Sequence, residues 1–115
     1  MGRWGQDYCE RFLKKGGYSI IARNFSCKTG EIDLVVTSPS SSVVFVEVKT
    51  RADENFAPAE SAITSEKKRR LIRTARYFVQ QYRLDDVPLR FDVVIVLLGQ
   101  KGRPQIRHYE NAFAP

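Results

Sequence analysis

The sequence predicts an α/β fold in which a mixed central sheet is flanked by helices, with elements in the order αβββαββ. Three observations carry this. Residues 18–25, 31–37 and 43–51 are three runs rich in β-branched side chains, separated by short turn segments, the pattern of an antiparallel meander. Leu71, Ile72, Ala75, Phe78, Val79 and Tyr82 recur at helical spacing. Residues 91–98 (Phe-Asp-Val-Val-Ile-Val-Leu-Leu) are apolar almost throughout, as in a strand buried on both faces. The helix then serves as a crossover that sets the fourth strand parallel to the third.

Element by element, residues 6–15 place Tyr8, Cys9, Phe12 and Leu13 on one helical stripe, and Gly16-Gly17 supplies a left-handed stop. Lys28-Thr29-Gly30 turns the first strand into the second, and the serine-rich residues 38–42 turn the second into the third. A loop at 52–58 leads to the amphipathic helix, for which Thr64 or Ser65 is the N-cap. Pro88 closes the connection to the buried strand, and a last strand at 104–109 lies at an edge, where Pro104 is tolerated. Strict alternation puts Glu31, Asp33, Val35 and Thr37 on one face of the second strand and Ile32, Leu34 and Val36 on the other. In the third strand Val43, Phe45, Glu47, Lys49 and Arg51 share a face opposite Val44, Val46, Val48 and Thr50.

At 115 residues and 13.2 kDa the chain is long enough for one domain, residues 1–115, which buries roughly 65% of its unfolded surface without needing a disulfide or metal for its core. Its 43% hydrophobic and 28% charged residues exclude a disordered chain. No apolar run approaches the ~18–20 residues of a membrane span, and Met1-Gly2-Arg3-Trp4-Gly5 lacks the apolar stretch of a signal peptide, so the expected location is the cytoplasm. Cys9 and Cys27 stand 18 residues apart with no Cys-x-x-Cys and with His108 far away, which excludes the usual zinc spacings and leaves structural thiols.

The net charge of +6 is localised. Residues 1–64 and 84–115 each sum to zero, whereas 65–83 holds Lys67, Lys68, Arg69, Arg70, Arg73, Arg76 and Arg83 against Glu66 alone. A basic stripe confined to one helix is the electrostatic footprint of a polyanion partner.

If the second and third strands are neighbours, Asp33 lies near Glu47, with Lys49 about 7 Å along the same strand. Two carboxylates and a lysine on one sheet face are the groups that metal-assisted phosphodiester hydrolysis uses. Hard oxygen ligands hold Mg²⁺ or Mn²⁺, and a lysine orients water or offsets developing negative charge. The same residues also suit an ordinary half-exposed strand, where a cross-strand charge pair contributes only about 0.2–1 kcal/mol and Glu-x-Lys is common. Asp33 in the adjacent strand and the basic helix in the same chain favour the chemical reading.

Gly30-Glu31-Ile32-Asp33-Leu34-Val35, followed by Val44-Phe45-Val46-Glu47-Val48-Lys49-Thr50-Arg51, resembles the YraN-like family of small bacterial proteins. That family is similar to archaeal Holliday-junction resolvases within the restriction-endonuclease-like superfamily. The resemblance extends through Gly16-Gly17-Tyr18, Arg23-Asn24-Phe25, Lys67 and Arg90-Phe91-Asp92-Val93-Val94, nearly the whole chain. It implies a restriction-endonuclease-like αβββαβ core in which Asp33, Glu47 and Lys49 are catalytic. Asp33 and Glu47 would hold Mg²⁺ or Mn²⁺, and Lys49 would position water or stabilise charge. The family's first helix usually carries a Gly-Glu pair whose glutamate, in related resolvases, helps hold metal; here Gly5-Gln6 stands there, and Asp7 or Glu10 could replace that glutamate only if the helix rotated.

The remaining polar residues have two readings each. Glu31 is either a further metal ligand or a charge on the hairpin rim, and Arg51 either touches phosphate or is a solvated strand end. Lys67, Lys68, Arg69, Arg70 and Arg73 either grip a nucleic-acid backbone or form a solvated helix face; carrying the whole net charge, they favour phosphate contact. Asp92 is expected to pair with Arg90 or bond a turn, His108 to be an ordinary edge-strand residue, and the aromatics at 77, 78, 82 and 91 to pack in the core. The expected function is a metal-dependent DNA endonuclease acting on branched or nicked DNA in repair or recombination. Symmetric cleavage of a two-fold junction would further require a homodimer. The alternatives are a non-catalytic nucleic-acid-binding protein of nuclease fold and a protein-interaction module whose basic helix meets an acidic partner.

Overall fold

The computed structural model describes residues 2–52, 63–98 and 102–114, so the expected loop at 52–58 lies almost wholly outside the described residues. Its elements are α1 (Gly2–Lys15), β1 (Ser19–Cys27), β2 (Gly30–Thr37), β3 (Val43–Arg51), α2 (Ser65–Gln81), β4 (Leu89–Leu97) and β5 (Gln105–Phe113). The sheet order is β1-β2-β3-β4-β5. The two-residue turn at Lys28-Thr29 and the 38–42 loop are too short for anything but antiparallel hairpins. In the second loop Ser38 Oγ accepts the Ser42 N–H at 3.0 Å. The α2 crossover makes β3 and β4 parallel, paired from Val43↔Leu89 to Arg51↔Leu97. β5 returns antiparallel at the edge, with Pro104 just ahead of it.

The two helices cover opposite faces. Cys9 and Leu13 of α1 pack with Leu34, Val36, Val44, Val46, Val94 and Val96. Leu71, Ala75 and Phe78 of α2 pack with Ile32, Val35, Val43, Phe45 and Phe91. The result is a mixed five-stranded sheet flanked by two helices, an α/β fold consistent with a restriction-endonuclease-like core. Among the described residues no helix is long and apolar enough to cross a membrane.

Both helices are capped as their sequences require. α1 ends with Gly17 at φ 91°, Tyr18 N–H bonding Leu13 C=O at 3.0 Å and Gly17 N–H bonding Lys14 C=O at 3.0 Å, a Schellman stop. Thr64 caps α2, its Oγ1 accepting the Lys67 N–H at 3.1 Å. α1 starts four residues earlier than expected, where Trp4 stacks on Tyr8 with ring centroids 5.7 Å apart.

Alternation along β2 does not hold throughout. Ile32 packs on the α2 side with Val35, while Leu34 and Val36 face α1, so Ile32 does not share a face with Leu34. The interruption falls at Asp33, across from Asn24, whose φ of 51° leaves it out of the β1–β2 register between Arg23↔Leu34 and Phe25↔Ile32.

Candidate active site

β2 and β3 pair from Thr37↔Val43 to Leu34↔Val46 and stop there, whereas β2 remains paired with β1 down to Gly30 and β3 with β4 up to Arg51. The sheet therefore forks at Asp33. Its carboxylate takes over from the missing ladder, with Oδ2 accepting the Val48 N–H at 2.8 Å. A side chain that replaces a backbone bond at a fork is held firmly and still reaches solvent on both sides. Asp33 accordingly lines two adjoining cavities, of about 350 Å³ and about 420 Å³. The first has Glu47, Lys67 and Arg70 on its walls, and the second has Gln6, Lys49 and Arg51.

Glu47 is buried at 8% exposure on the α2 side of β3. Its Oε2 receives two ammonium groups, Lys49 Nζ at 3.2 Å and Lys67 Nζ at 2.6 Å. The Thr64 cap fixes where α2 begins and thereby sets Lys67 over the carboxylate. Burial, reinforced by the Glu47 charge, pushes the Asp33 carboxyl up to about 6 against the pull of the Val48 N–H. Lys49 is pushed down by burial and by the neighbouring Lys67. Lys67 is also desolvated, but its bond to Glu47 prevails and raises it. The repulsion between the two cations thus falls on Lys49, the less exposed of the two.

Asp33, Glu47 and Lys49 are therefore brought together as the strand pattern anticipates. Lys67 and Arg70 join them on the same wall, and Arg51 lines the second cavity while donating Nη1 to its own Thr50 C=O at 3.0 Å. Glu31 borders both cavities. Arg73 lies on the neighbouring groove of α2, and Lys68 points elsewhere, its Nζ 5.7 Å from the centre of the Phe113 ring. Gln6 reaches the cleft because Gly5 lies against β3, where a Cβ would collide with Thr50 Oγ1. Neither suggested replacement for a glutamate there serves. Glu10 is taken by Arg23, whose Nε lies 3.0 Å from both oxygens, and Asp7 is exposed and lines neither cavity.

Among the described residues no three His, Cys, Asp or Glu side chains converge into a closed metal cage. A hard divalent ion needs only one or two carboxylates when water and phosphate oxygens complete its shell. Two carboxylates in one cleft, with one pushed up by burial and by the other's charge, suit such an ion, and Gln6 offers a neutral amide oxygen on the second cavity, which Asp33 also lines.

A second polar cluster lies on the opposite face. Asp92, 1% exposed, accepts Arg90 Nε at 2.9 Å and Nη2 at 2.8 Å, and the Asn111 N–H at 2.9 Å; His108 Nε2 lies 2.7 Å from its Oδ2. The Asp92–Arg90 pair was expected; His108 was not, because only the β4–β5 register places it there. Phe78 and Phe91 are core residues as expected, but Tyr77 and Tyr82 are exposed at 48% and 50%, since Tyr77 lies off the buried stripe of α2 and Tyr82 is its C-cap, past the end of the helix. Tyr82 still rests on Phe78, ring centroids 4.4 Å apart.

The forked sheet, its paired carboxylates and the helix on each face make this an α/β protein consistent with a restriction-endonuclease-like core. The sequence profile described as "Uncharacterised protein family UPF0102" matches residues 5–96, and the chain belongs to that YraN-like family. Similar proteins, each described as "UPF0102 protein", occur in Pelobacter propionicus (42% identical, 97% of this chain and 81% of the relative) and Caldicellulosiruptor saccharolyticus (43%, 98% and 96%). Another, in Pelotomaculum thermopropionicum, is 40% identical over 98% of this chain and 94% of the relative.

Proposed function

We propose that this protein is a Mg²⁺- or Mn²⁺-dependent DNA endonuclease that hydrolyses phosphodiester bonds in branched or nicked DNA. The observation that supports this best is the fork at Asp33, which opens two adjoining cavities that share Asp33, one walled by Glu47 and the other by Lys49, whose Nζ reaches Glu47 Oε2 at 3.2 Å. The charge on α2 supports it independently. Lys67, Lys68, Arg69 and Arg70 crowd the start of a helix, where cations oppose the macrodipole at about 0.3–1 kcal/mol each within the first turn. That arrangement is unfavourable for the isolated fold and useful against a phosphate chain.

In this reading Asp33 and Glu47 hold the divalent ion, which when bound neutralises phosphate charge and acidifies water. Lys49, with its proton held less tightly than usual, donates a hydrogen bond from Nζ to the attacking water or to a phosphate oxygen. Lys67 and Arg70 line the same wall and orient the strand through its phosphates. Cutting a two-fold junction symmetrically needs two such clefts, so the reading pairs with a homodimer.

The test is metal-dependent cutting of linear, nicked, flap and four-way-junction DNA. Cutting that is absent for every substrate, with tight binding retained, favours the second reading, a binding protein of nuclease fold. Gln6 motivates that reading, since a neutral amide stands where the resemblance places a glutamate. DNA binding through about six phosphates gives a log–log salt slope near −5; a flat slope contradicts both.

A further inference from the structure

We propose that the groove on the outer side of α2, bounded by Thr29, Arg73, Arg76, Tyr77 and Gln80, receives one unpaired nucleotide of the DNA that enters the carboxylate cleft. The inference rests on the nucleic-acid reading of that cleft and adds the kind of strand it accepts.

The groove, of about 220 Å³, adjoins the cleft directly. Thr29 Oγ1 and Thr74 Oγ1 are 2.9 Å apart; Thr74 lines the cleft and Thr29 the groove, so one hydroxyl pair forms the wall between them. The pair is braced from both ends, by Thr74 Oγ1 donating to Arg70 C=O at 2.8 Å and by Cys27 Sγ 3.2 Å from Thr29 Oγ1. A chain leaving Lys67 and Arg70 on the cleft side passes over this wall to Arg73 and Arg76.

Arg73, Arg76, Tyr77 and Gln80 stand at i, i+3, i+4 and i+7 and share one helix face. Among the described residues no carboxylate lines the groove. Among the described residues neither arginine is in an ion pair, so both guanidiniums are available to phosphate. Tyr77 is 48% exposed and, among the described residues, its ring stacks on no other. Phosphate binding alone would need only the arginines. An aromatic ring left in water on the same helix face as two cations, with the Gln80 amide able both to donate and to accept, matches a base with a free face and a free edge. Duplex DNA offers no free face, so the groove selects an unpaired base beside the scissile strand.

The test uses the whole chain in EDTA, so that nothing is cut, and fluorescence anisotropy with two DNAs sharing one duplex. One is blunt and the other carries a single-stranded extension containing 2-aminopurine. Wild type should bind the extended DNA more tightly and quench the 2-aminopurine. Tyr77→Ala should weaken binding of the extended DNA about tenfold, change the blunt duplex by less than about twofold, and restore the fluorescence. Tyr77→Phe should behave as wild type, and Gln80→Ala should lose affinity for the extended DNA alone. Equal effects of Tyr77→Ala on both DNAs, no effect on either, or unquenched 2-aminopurine would overturn the proposal. Tyr77→Ala that binds both DNAs as wild type does, with wild type binding DNA at low salt, sinks only the nucleotide groove. Wild type that binds no DNA at low salt sinks the nuclease reading with it.

Discussion

Lys67 Nζ, from the first turn of α2, lies 2.6 Å from Glu47 Oε2, nearer than Lys49 Nζ at 3.2 Å on the same oxygen. A helix start is an unfavourable place for a cation, and the buried carboxylate is what holds this one there. Lys67 thus occupies one of the two carboxylates that a divalent ion would need. Lys67→Met should therefore bind Mn²⁺ several-fold more tightly than wild type by isothermal titration calorimetry. Unchanged affinity would show that the lysine and the ion do not compete.

Asp33 carries a folded-state pKa of about 6 against an ordinary value of 3.8, so the folded protein holds this proton more tightly than the unfolded chain does. Between about pH 4 and pH 6 this group makes stability fall as pH rises, and above that window the loss is complete. Asp33→Asn keeps an acceptor for the Val48 N–H and removes the buried charge. It should raise stability near pH 8 by up to about 2 kcal/mol and give no gain near pH 3.5. Urea melts at the two pH values check this; a gain of equal size at both would contradict it.

Asp92 is the reverse case. Its burial opposes the charge, but Arg90, His108 and the Asn111 N–H outweigh that and hold its carboxyl below the ordinary value. The stability it contributes is present above the unfolded pKa and is lost as pH falls through the folded one. Asp92→Ala strips the half-buried Arg90 of its closest carboxylate, leaving it the Tyr18 hydroxyl at 2.7 Å and the exposed Glu110 at 3.5 Å, and should cost about 3 kcal/mol in urea unfolding near neutral pH. A cost below about 1 kcal/mol would mean that the cluster is readily replaced by water.

Gln6 faces the cleft from α1 without charge. Gln6→Glu adds a third carboxylate beside Asp33 and Lys49, and Mn²⁺ should then bind about fivefold tighter or more, as one added charge at a half-exposed site permits. Calorimetry in the same buffer as wild type reads the change, and no tightening would place the ion outside reach of α1.

Much of this site is legible in the sequence because strand alternation is a local property. Glu47 and Lys49 share a face of β3 simply by being two residues apart, and the short turns make β2 its neighbour. The fork is not legible in that way. Alternation assigns Ile32 to the side of Leu34, whereas the two pack on opposite faces with Asp33 between them, across from the left-handed Asn24, and the arrangement depends on two strands at once. Lys67 reads from composition as one of many basic residues; its place on Glu47 depends on where Thr64 starts the helix and how α2 crosses the sheet. His108 reaches Asp92 only through the β4–β5 register, which shifts between Phe91 and Val93. Tyr77 belongs by type with Phe78, and only the rotation of α2 leaves one ring in water and buries the other.

The most direct test is single-turnover cleavage of the flap and junction DNAs in Mn²⁺, with DNA binding measured on the same samples of wild type, Asp33→Asn, Glu47→Gln and Lys49→Ala. The account predicts metal-dependent cutting by wild type and a loss of about 10²- to 10³-fold in each variant, with DNA still bound. Variants that cut as fast as wild type, or a wild type that binds these DNAs and never cuts them, would contradict it.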